Sequence, residues 1–250
     1  MIELLLIGIG TGNPDHLTRQ GELAIREADA VLIPRKGEGK SDLADLRREI
    51  CAKVLGENAN VGIIEFDLPV RDAEGDYFKG VDEWHDEIAV AWQNAVAGTG
   101  QDCTRIALLI WGDPSLYDSS LRIASRLFPV PRITVVPGIT ALQALTAAHA
   151  IPLNDIGAPV LITTGRKLRE EGWPKDANTV VVMLDGKCSF EALDAEGIEI
   201  WWGAFLGMKE ELILHGPLSE TGRQIVEMRS AARKTHGWIM DTYLMRRENR

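Results

Sequence analysis

Three turns of the sequence carry residue types that bind small ligands where strands end. The first, residues 8–18 (GIGTGNPDHLT), directly follows an apolar run at residues 2–7. Its glycine spacing, G-x-G-x-G, matches a dinucleotide-binding loop only in part, because Asn13 and Pro14 stand where the third glycine would open a helix. The turn is therefore open to three interpretations: a dinucleotide site, a site for another ligand, or a turn whose glycines only supply positive φ angles.

The end of the second predicted strand bears on the dinucleotide interpretation. A dinucleotide-binding domain places an acidic residue there for the ribose hydroxyls, whereas this chain has Arg35 and Lys36. Two cations would suit only a 2′-phosphate, so an NADP-linked oxidoreductase is kept as an alternative function.

The other two turns also follow predicted strands. Residues 111–117 (WGDPSLY) place Gly112 and Asp113 at a carboxyl end, where open α/β sheets bind ligands. Asp113 is equally suited to be a helix N-cap with Pro114 in the first helical turn. Residues 135–148 (VVPGITALQALTAA) repeat the arrangement, with Thr140 as a candidate N-cap. Three such turns at successive strand ends favour a shared ligand site.

The elements that position these turns alternate between strand and helix in the first part of the chain. The hydrophobic pattern predicts strands at 2–10, 30–34, 61–68, 105–111 and 133–136. It predicts helices at 17–28, 41–55, 81–96, 115–127 and 140–150. This alternation is typical of a parallel sheet covered by helices.

The pattern changes after residue 150, where the segment IPLNDIGAP resembles a linker. Beyond it the predicted strands are 160–164, 179–184, 198–204, 211–215 and 237–244, and the predicted helices are 189–195 and 220–232. We therefore expect two α/β domains, residues 1–150 and 151–250, the second with a mixed sheet that includes an antiparallel pair.

Composition limits the classes of protein. The chain has 250 residues, 45% hydrophobic and 26% charged, as in ordinary globular proteins. Its net charge of -10 argues against a general nucleic-acid or membrane-surface binder. The three cysteines show neither disulfide nor zinc-site spacing, and the first apolar run is too short for a secretory signal or a membrane span. These features predict a cytoplasmic protein without a bound metal.

The order of the motifs resembles a known family. GIGTGNPDHLT, EADAVL, GDPSLY and PGITALQA, followed by VVVMLDG and FLGMKEELILHGPL, are similar to the tetrapyrrole methylases that use S-adenosylmethionine. The resemblance implies two α/β domains, the first a mainly parallel sheet with helices on both faces and the second a mixed sheet, with the active site in the cleft between them. It also implies S-adenosylmethionine as cofactor, S-adenosylhomocysteine as product, a tetrapyrrole substrate and a homodimer.

The resemblance assigns roles to particular residues. The cofactor-binding residues that it implies are Gly112, Asp113, Leu116, Tyr117, Thr140, Ala141, Met183, Ala204 and Pro217. Gly10 and Thr11 would border the substrate trough. A tetrapyrrole precursor carries many carboxylates, and in an acidic chain the cations Arg35 and Lys36 are the hypothetical partners for them. The alternative for these two residues is a solvated charged loop.

One departure from the usual family motif indicates which members of the family this chain resembles most. Most members have Gly-Pro-Gly-Asp in the first loop, whereas this chain has Gly-Thr-Gly-Asn at residues 10–13. Together with residues 33–49, this motif is most similar to that of the members that methylate carbon 1 of precorrin-5 in cobalamin biosynthesis and release a two-carbon unit as acetate. The alternatives are another precorrin or uroporphyrinogen methylase, the oxidoreductase, and a non-catalytic tetrapyrrole-binding protein.

Methyl transfer itself needs mainly the alignment of two reactants, whereas acetate release needs water to attack a carbonyl group. A base or an oxyanion donor would assist that attack, and the candidates are His16, Asp15 and Tyr117. The alternative is that the ring is a good enough leaving group without a protein base.

Overall fold

The computed structural model describes residues 2–35, 42–56, 60–71, 77–100 and 103–247, with the backbone alone at Asp42, Tyr77 and Phe78. The chain divides into two compact units, Met1–Thr140 and Ala141–Arg250. The sequence predicted this division near residue 150. Helix α5 (Ala141–Ala148) accounts for the difference, because it packs on strands of the second unit.

The first unit is built on a sheet of five parallel strands in the order β3-β2-β4-β1-β5. The strands are β1 (Glu3–Gly8), β2 (Ala30–Arg35), β3 (Gly62–Asp67), β4 (Arg105–Ile110) and β5 (Arg132–Val136). The helices are α1 (Arg19–Arg26), α2 (Asp42–Leu55), α3 (Tyr77–Ala97) and α4 (Ser120–Ala124). The parallel sheet predicted from the alternation is therefore confirmed.

Helices cover both faces of this sheet. Side chains of α1 and α2 pack on one face with Leu5 and Ile7 of β1, and side chains of α3 and α4 pack on the other face with Leu4 and Leu6. Because successive residues of a strand face opposite sides, a strand buried on both faces must be apolar throughout. This requirement explains the unbroken apolar run at the start of the chain.

The predicted helix over residues 115–127 is wrong, since only α4 (Ser120–Ala124) forms there. The Asp113 side chain accepts from Ser115 N at 2.8 Å, and the Asp118 side chain accepts from Ser120 N at 2.6 Å. Such local side-chain bonds hold the backbone in turns instead of a helix. Tyr117 adds a positive φ of 50° that no helix continues through. Asp113 therefore caps a turn and is not a helix N-cap.

The second unit is a mixed sheet in the order β6-β7-β10-β8-β9. Its strands are β6 (Val160–Thr164), β7 (Thr179–Met183), β8 (Ile198–Ala204), β9 (Leu212–Pro217) and β10 (Asp241–Arg247). Strands β6 and β7 are parallel, and the other neighbouring pairs are antiparallel. The mixed sheet was predicted, and the antiparallel arrangement extends over three pairs.

The helices of this unit differ more from the prediction. Helix α7 (Leu218–His236) is longer than predicted. Helix α6 (Gly165–Glu171) was not predicted, because it has only seven residues and most of them are polar. The predicted helix 189–195 is only a 3-10 turn, Ser189–Ala192. Leu145 of α5 packs against Gly203, where an added Cβ would lie 2.9 Å from its Cδ1.

Candidate functional site

The three ligand-binding turns predicted from the sequence lie at one edge of the first sheet. Strands β4, β1 and β5 are adjacent and parallel, so the turns that follow them meet at the carboxyl edge. Helix α1 after β1 and helix α4 after β4 pack on opposite faces of the sheet. Neighbouring strands whose connections diverge in this way leave a crevice, which is where open α/β sheets bind ligands.

Glycines bring the main chains of the three turns into contact. A Cβ added to Gly138 would lie 2.2 Å from Gly112 O and 2.7 Å from Gly8 C, and one added to Gly8 would lie 2.6 Å from Gly138 N. These contacts are with backbone atoms, which cannot move aside like the end of a flexible side chain. The junction of the three strand ends therefore requires glycine at Gly8 and Gly138.

The first two turns are also hydrogen-bonded to each other. Gly10 and Gly112 form an antiparallel bridge, in which Gly112 N donates to Gly10 O at 2.8 Å and Gly10 N donates to Gly112 O at 3.3 Å. Both residues have positive φ, 77° and 66°. The turn-only interpretation is thus correct about backbone conformation, but the glycines also join two strand ends.

Asp113 ties the second turn to the third. Its Oδ2 accepts from Gly138 N at 2.9 Å, and its Oδ1 accepts from the backbone N–H and the hydroxyl group of Ser115. Burial by itself raises the pKa of this carboxyl, but the bonds from Ser115 and Gly138 outweigh it and hold the pKa below the ordinary value. Asp113 is therefore a buried, ionised brace between two loops.

The first turn holds the two catalytic candidates Asp15 and His16 in a short 3-10 turn, Pro14–His16, which is capped by Asn13. The Asp15 side chain is 78% exposed and lies 2.5 Å from Lys53 Nζ. The hydrogen bond and the charge of Lys53 hold the pKa of Asp15 below its ordinary value. A paired, exposed carboxylate of lowered pKa is a weak base, which disfavours Asp15 in that role.

Two polar atoms of the same turn are buried without a partner. The Thr11 hydroxyl and the His16 Nδ1 have no hydrogen-bond partner among the described residues. Next to them, a Cβ on Gly10 would lie 2.6 Å from His16 Cβ, so the imidazole packs directly on the turn. Buried polar groups are nearly always satisfied in folded proteins, and orphaned ones at a strand end are suited to a ligand.

Tyr117 and Leu116 follow Asp113 in the second turn. Tyr117 has a left-handed backbone with φ 50°, and the residue is 43% exposed. Burial of part of the ring raises the pKa of its hydroxyl, so the group is a neutral donor at physiological pH. Leu116 N donates to Asp113 O at 3.3 Å, which closes the turn.

Arg35, the predicted partner of substrate carboxylates, is already paired inside the protein. Its guanidinium donates to both carboxylate oxygens of Asp67, each at 3.0 Å, and lies 3.8 Å from Glu65. A bidentate ion pair of this kind would compete with any carboxylate ligand. Lys36, the other predicted cation, lies outside the described residues.

The remaining predicted cofactor residues belong to the second unit. Ala141 begins α5, Met183 ends β7, Ala204 ends β8 and Pro217 ends β9. The residue after Met183, Leu184, has φ 53° and is 67% exposed. Strained backbone positions of this kind cluster at ligand sites, so the loop after β7 is a candidate for ligand contact.

The side chain that supports this loop was not predicted from the sequence. Asp185 is 5% exposed and accepts from Tyr243 Oη at 2.6 Å, from Ser189 Oγ at 2.7 Å and from Lys187 N at 3.0 Å. Burial raises the pKa of this carboxyl, but its donors outweigh that effect and lower it. The signal available in the sequence was an aspartate followed by glycine directly after an apolar strand.

The chemistry of the first-unit loops can be compared with the cofactor that the resemblance implies. S-Adenosylmethionine carries a sulfonium cation, whereas a dinucleotide carries phosphates. Residues 8–18, 111–119 and 137–140 contain no lysine or arginine, and the ionised charge they contribute at the junction is the Asp113 carboxylate. A lining that lacks lysine and arginine and holds an ionised Asp113 fits a sulfonium cofactor and not a phosphate group.

Comparison with known proteins identifies the family. The sequence profile of the Tetrapyrrole (Corrin/Porphyrin) Methylases matches residues 3–222. The chain belongs to this family. A precorrin-6A synthase [deacetylating] from a Sinorhizobium species is 45% identical over 253 residues, which cover 99% of this methylase and 96% of the relative.

Solved structures agree with the family. The cobalamin synthesis related protein CobF from Corynebacterium diphtheriae is 38% identical to this methylase, with a TM-score of 0.83 and complete coverage of both chains. The uroporphyrin-III C-methyl transferase from Thermus thermophilus, complexed with S-adenyl homocysteine, is 17% identical with a TM-score of 0.60, over 97% of this chain and 96% of that one. At that identity the likeness concerns the fold alone.

Other features of the described residues lie away from these loops. An apolar cavity of about 480 Å³ lies at the opposite edge of the first sheet, where Ile2, Trp92 and Phe128 line it, and it contains none of the predicted site residues. No cluster of three metal-ligating side chains occurs in the described ranges. None of the helices described is both long and apolar enough to cross a membrane.

Proposed function

We propose that this methylase converts precorrin-5 to precorrin-6A, by S-adenosylmethionine-dependent methylation at carbon 1 with release of acetate. The observation that carries the proposal is the 45% identity to a precorrin-6A synthase [deacetylating] over nearly the full length of both chains. The first-unit loops support it, because their acidic lining fits a sulfonium cofactor. The proposal leaves no role for NADP.

S-Adenosylmethionine supplies an activated methyl group. In the first unit we assign its binding to Gly112, Asp113, Leu116, Tyr117 and Thr140. The glycines let the main chain come close to a ligand, and Asp113 holds the turns in register. In the second unit we keep the assignments suggested by the resemblance. They are Ala141, Met183, Ala204 and Pro217.

Acetate release is the step that calls for a proton-transfer group. Water attacks the acetyl carbonyl carbon and gives a proton to a base, the bond from that carbon to the ring breaks, and the electron pair stays on the macrocycle while acetate leaves. We assign the base to His16, because its Nδ1 is buried without a partner in the described chain, whereas Asp15 is held by Lys53. Gly10 and Thr11 would border the substrate beside it.

The test of the proposed function is product analysis. The protein is incubated with precorrin-5 and S-adenosylmethionine labelled in its methyl group, the labelled carbon is located in the product by NMR, and acetate is assayed. Label at carbon 1 with one acetate per methyl transferred supports the proposal. Methylation elsewhere, or methylation without acetate, would show that the chain is another methylase of the family.

We also propose a homodimer in the cytoplasm. The dimer is what the resemblance to the family implies, and the location is supported by three buried cysteine thiols without disulfides. Light scattering coupled to size exclusion distinguishes the mass of a dimer from the 27.5 kDa of one chain. Fractionation of cells that express the protein tests the location.

A further inference from the structure

The end of the ladder between β2 and β4 leaves a gap at the carboxyl edge of the first sheet. Their pairing stops at Leu32 and Leu108, although the strands continue to Arg35 and Ile110. The Leu109 carbonyl is therefore left without a partner from β2. Arg47 of α2 fills this position, because its Nε donates to Leu109 O at 2.8 Å.

The Arg47 side chain points toward the loop edge of the sheet. Helix α2 follows the parallel strand β2, so its first turn lies at the carboxyl edge. Side chains of a helix lean toward its N-terminus, and Arg47 Nη1 accordingly donates to the carbonyl of Leu43, one turn earlier, at 2.9 Å. The guanidinium thus lies on the side of the sheet where the glycine turns lie.

Charge distinguishes Arg47 from the other described cations of β2 and α2. Arg35 pairs with Asp67, Arg48 pairs with Glu65, and Lys53 pairs with Asp15. The two hydrogen bonds of Arg47 go to neutral carbonyls, and no described carboxylate lies within ion-pair distance of it. Its Nη2 has no acceptor among the described residues.

The Arg47 charge persists although it is poorly solvated. Burial lowers the pKa of its guanidinium to about 10, against the opposing effect of the Asp118 and Cys51 side chains. The group therefore stays protonated at neutral pH. The Asp118 carboxylate already accepts from Ser120 N. A buried cation that forms no ion pair with a described residue is costly, and an anionic ligand would reduce that cost.

We propose that Arg47 binds a side-chain carboxylate of the tetrapyrrole substrate. The inference rests on the proposed function and transfers to Arg47 the role that the sequence suggested for Arg35. A guanidinium whose Nη2 is still open presents a planar donor that a carboxylate matches well. Arg47 is thus a specificity residue that distinguishes an acidic side chain from its amide or ester.

The kinetic test compares Arg47→Gln with Arg48→Gln, which removes the same charge from the next residue of the same helix. Losing a hydrogen bond to a charged partner is expected to raise the KM for precorrin-5 roughly tenfold or more in Arg47→Gln. The KM for S-adenosylmethionine stays at the wild-type value, and Arg48→Gln matches wild type in both. A KM for precorrin-5 within about twofold of wild type in Arg47→Gln would overturn the proposal.

A second variant covers the case in which Arg47→Gln does not fold because Leu109 O loses its donor. Arg47→Lys keeps the positive charge but loses the planar set of guanidinium donors. Its KM for precorrin-5 is therefore expected to rise, while its melting temperature stays near wild type. An unchanged KM in Arg47→Lys, together with weakened binding of an uncharged tetrapyrrole amide, would assign Arg47 a structural role only and contradict the proposal.

A binding arm separates this inference from the proposed function. Quenching of protein fluorescence by uroporphyrin, whose side chains all end in carboxylates, is measured for wild type and both Arg47 variants. If wild type binds uroporphyrin but does not convert precorrin-5, the proposed function fails while weaker binding by the variants still supports Arg47. Equal binding by all three proteins, or no binding by wild type, would overturn the inference.

Discussion

At the scale of single residues, Asp113 shows how a side chain in a predicted binding motif can act through its neighbours. Its two carboxylate oxygens are occupied by Ser115 and Gly138, so it stabilises the shape of the second and third turns. Asp29 does the same at the other edge of the sheet, where its Oδ2 accepts from Thr104 N at 2.7 Å and Arg105 N at 2.8 Å. Asp29 is therefore a suitable control for Asp113.

We expect Asp113→Ala to weaken the binding of S-adenosylhomocysteine roughly tenfold or more, measured by titration calorimetry. Each orphaned donor costs about 1–3 kcal/mol, and the loops of the proposed cofactor site lose their tie. Asp29→Ala is expected to lower the melting temperature about as much as Asp113→Ala does, without changing the affinity for S-adenosylhomocysteine. Equal affinities in the two variants would mean that Asp113 has no influence on the cofactor.

His16 is the residue whose assignment concerns chemistry most directly. His16→Gln is expected to keep the methyl-transfer rate close to wild type and to slow acetate release by roughly 10²–10⁴, the usual contribution of a general base. The two rates are followed separately, by transfer of labelled methyl and by enzymatic assay of acetate. Normal acetate release from a methylating His16→Gln enzyme would remove His16 from the mechanism.

At the scale of elements, the three strand ends act as one junction. Gly8 ends β1, and Gly112 and Gly138 lie two residues beyond β4 and β5; their main chains touch. The alternation of strand and helix predicted the order of these strands along the chain, but their adjacency in the sheet comes from the pairing. Helix α4 shows where the hydrophobic pattern fails. Hydrophobic periodicity favoured a long helix there, but local side-chain bonds at Asp113 and Asp118 shortened it.

Gly138→Ala tests the junction. Its Cβ would overlap the Gly112 carbonyl, so the free energy of unfolding is expected to fall by at least about 1–3 kcal/mol, the range for overpacking. Gly186→Ala is the control, because an added Cβ there meets nothing within 4 Å and its φ is not positive. Its stability should change by less than about 0.5 kcal/mol. Urea denaturation measures both, and equal stabilities would contradict the close approach.

At the scale of the whole molecule, buried ionisable groups occur in both units and make stability depend on pH. Burial lowers the pKa of His85 in the first unit and of His149 in the second. Hydrogen-bond donors lower the pKa of Asp113 and Asp185 despite their burial. In each case the unfolded chain binds protons at a higher pH than the folded protein, so stability falls as the pH falls.

The expected profile has two windows. Stability contributed by the histidines is complete above pH ~6.5, the value for an unfolded histidine, and is lost as the pH falls toward their lowered pKa values. The aspartates lose theirs only below pH ~4. A double variant, His85→Gln with His149→Gln, should keep a melting temperature at pH 5 closer to its pH 8 value than wild type does, by at least about 2 °C. An identical decrease in both proteins would contradict buried neutral histidines.

The sequence by itself determined the family, the parallel and mixed sheets and the positions of the three turns, because apolar periodicity, glycine and proline act locally and the motif order is specific. Only the tertiary structure decided which cations are available to a ligand. Arg35 was a candidate because of its position at the end of β2, but Asp67 of the neighbouring strand pairs with it. Arg47 was not singled out, since its place beside Leu109 O depends on where the β2–β4 ladder ends. Charge pairing between segments distant in sequence is a property of packing, and no local pattern encodes it.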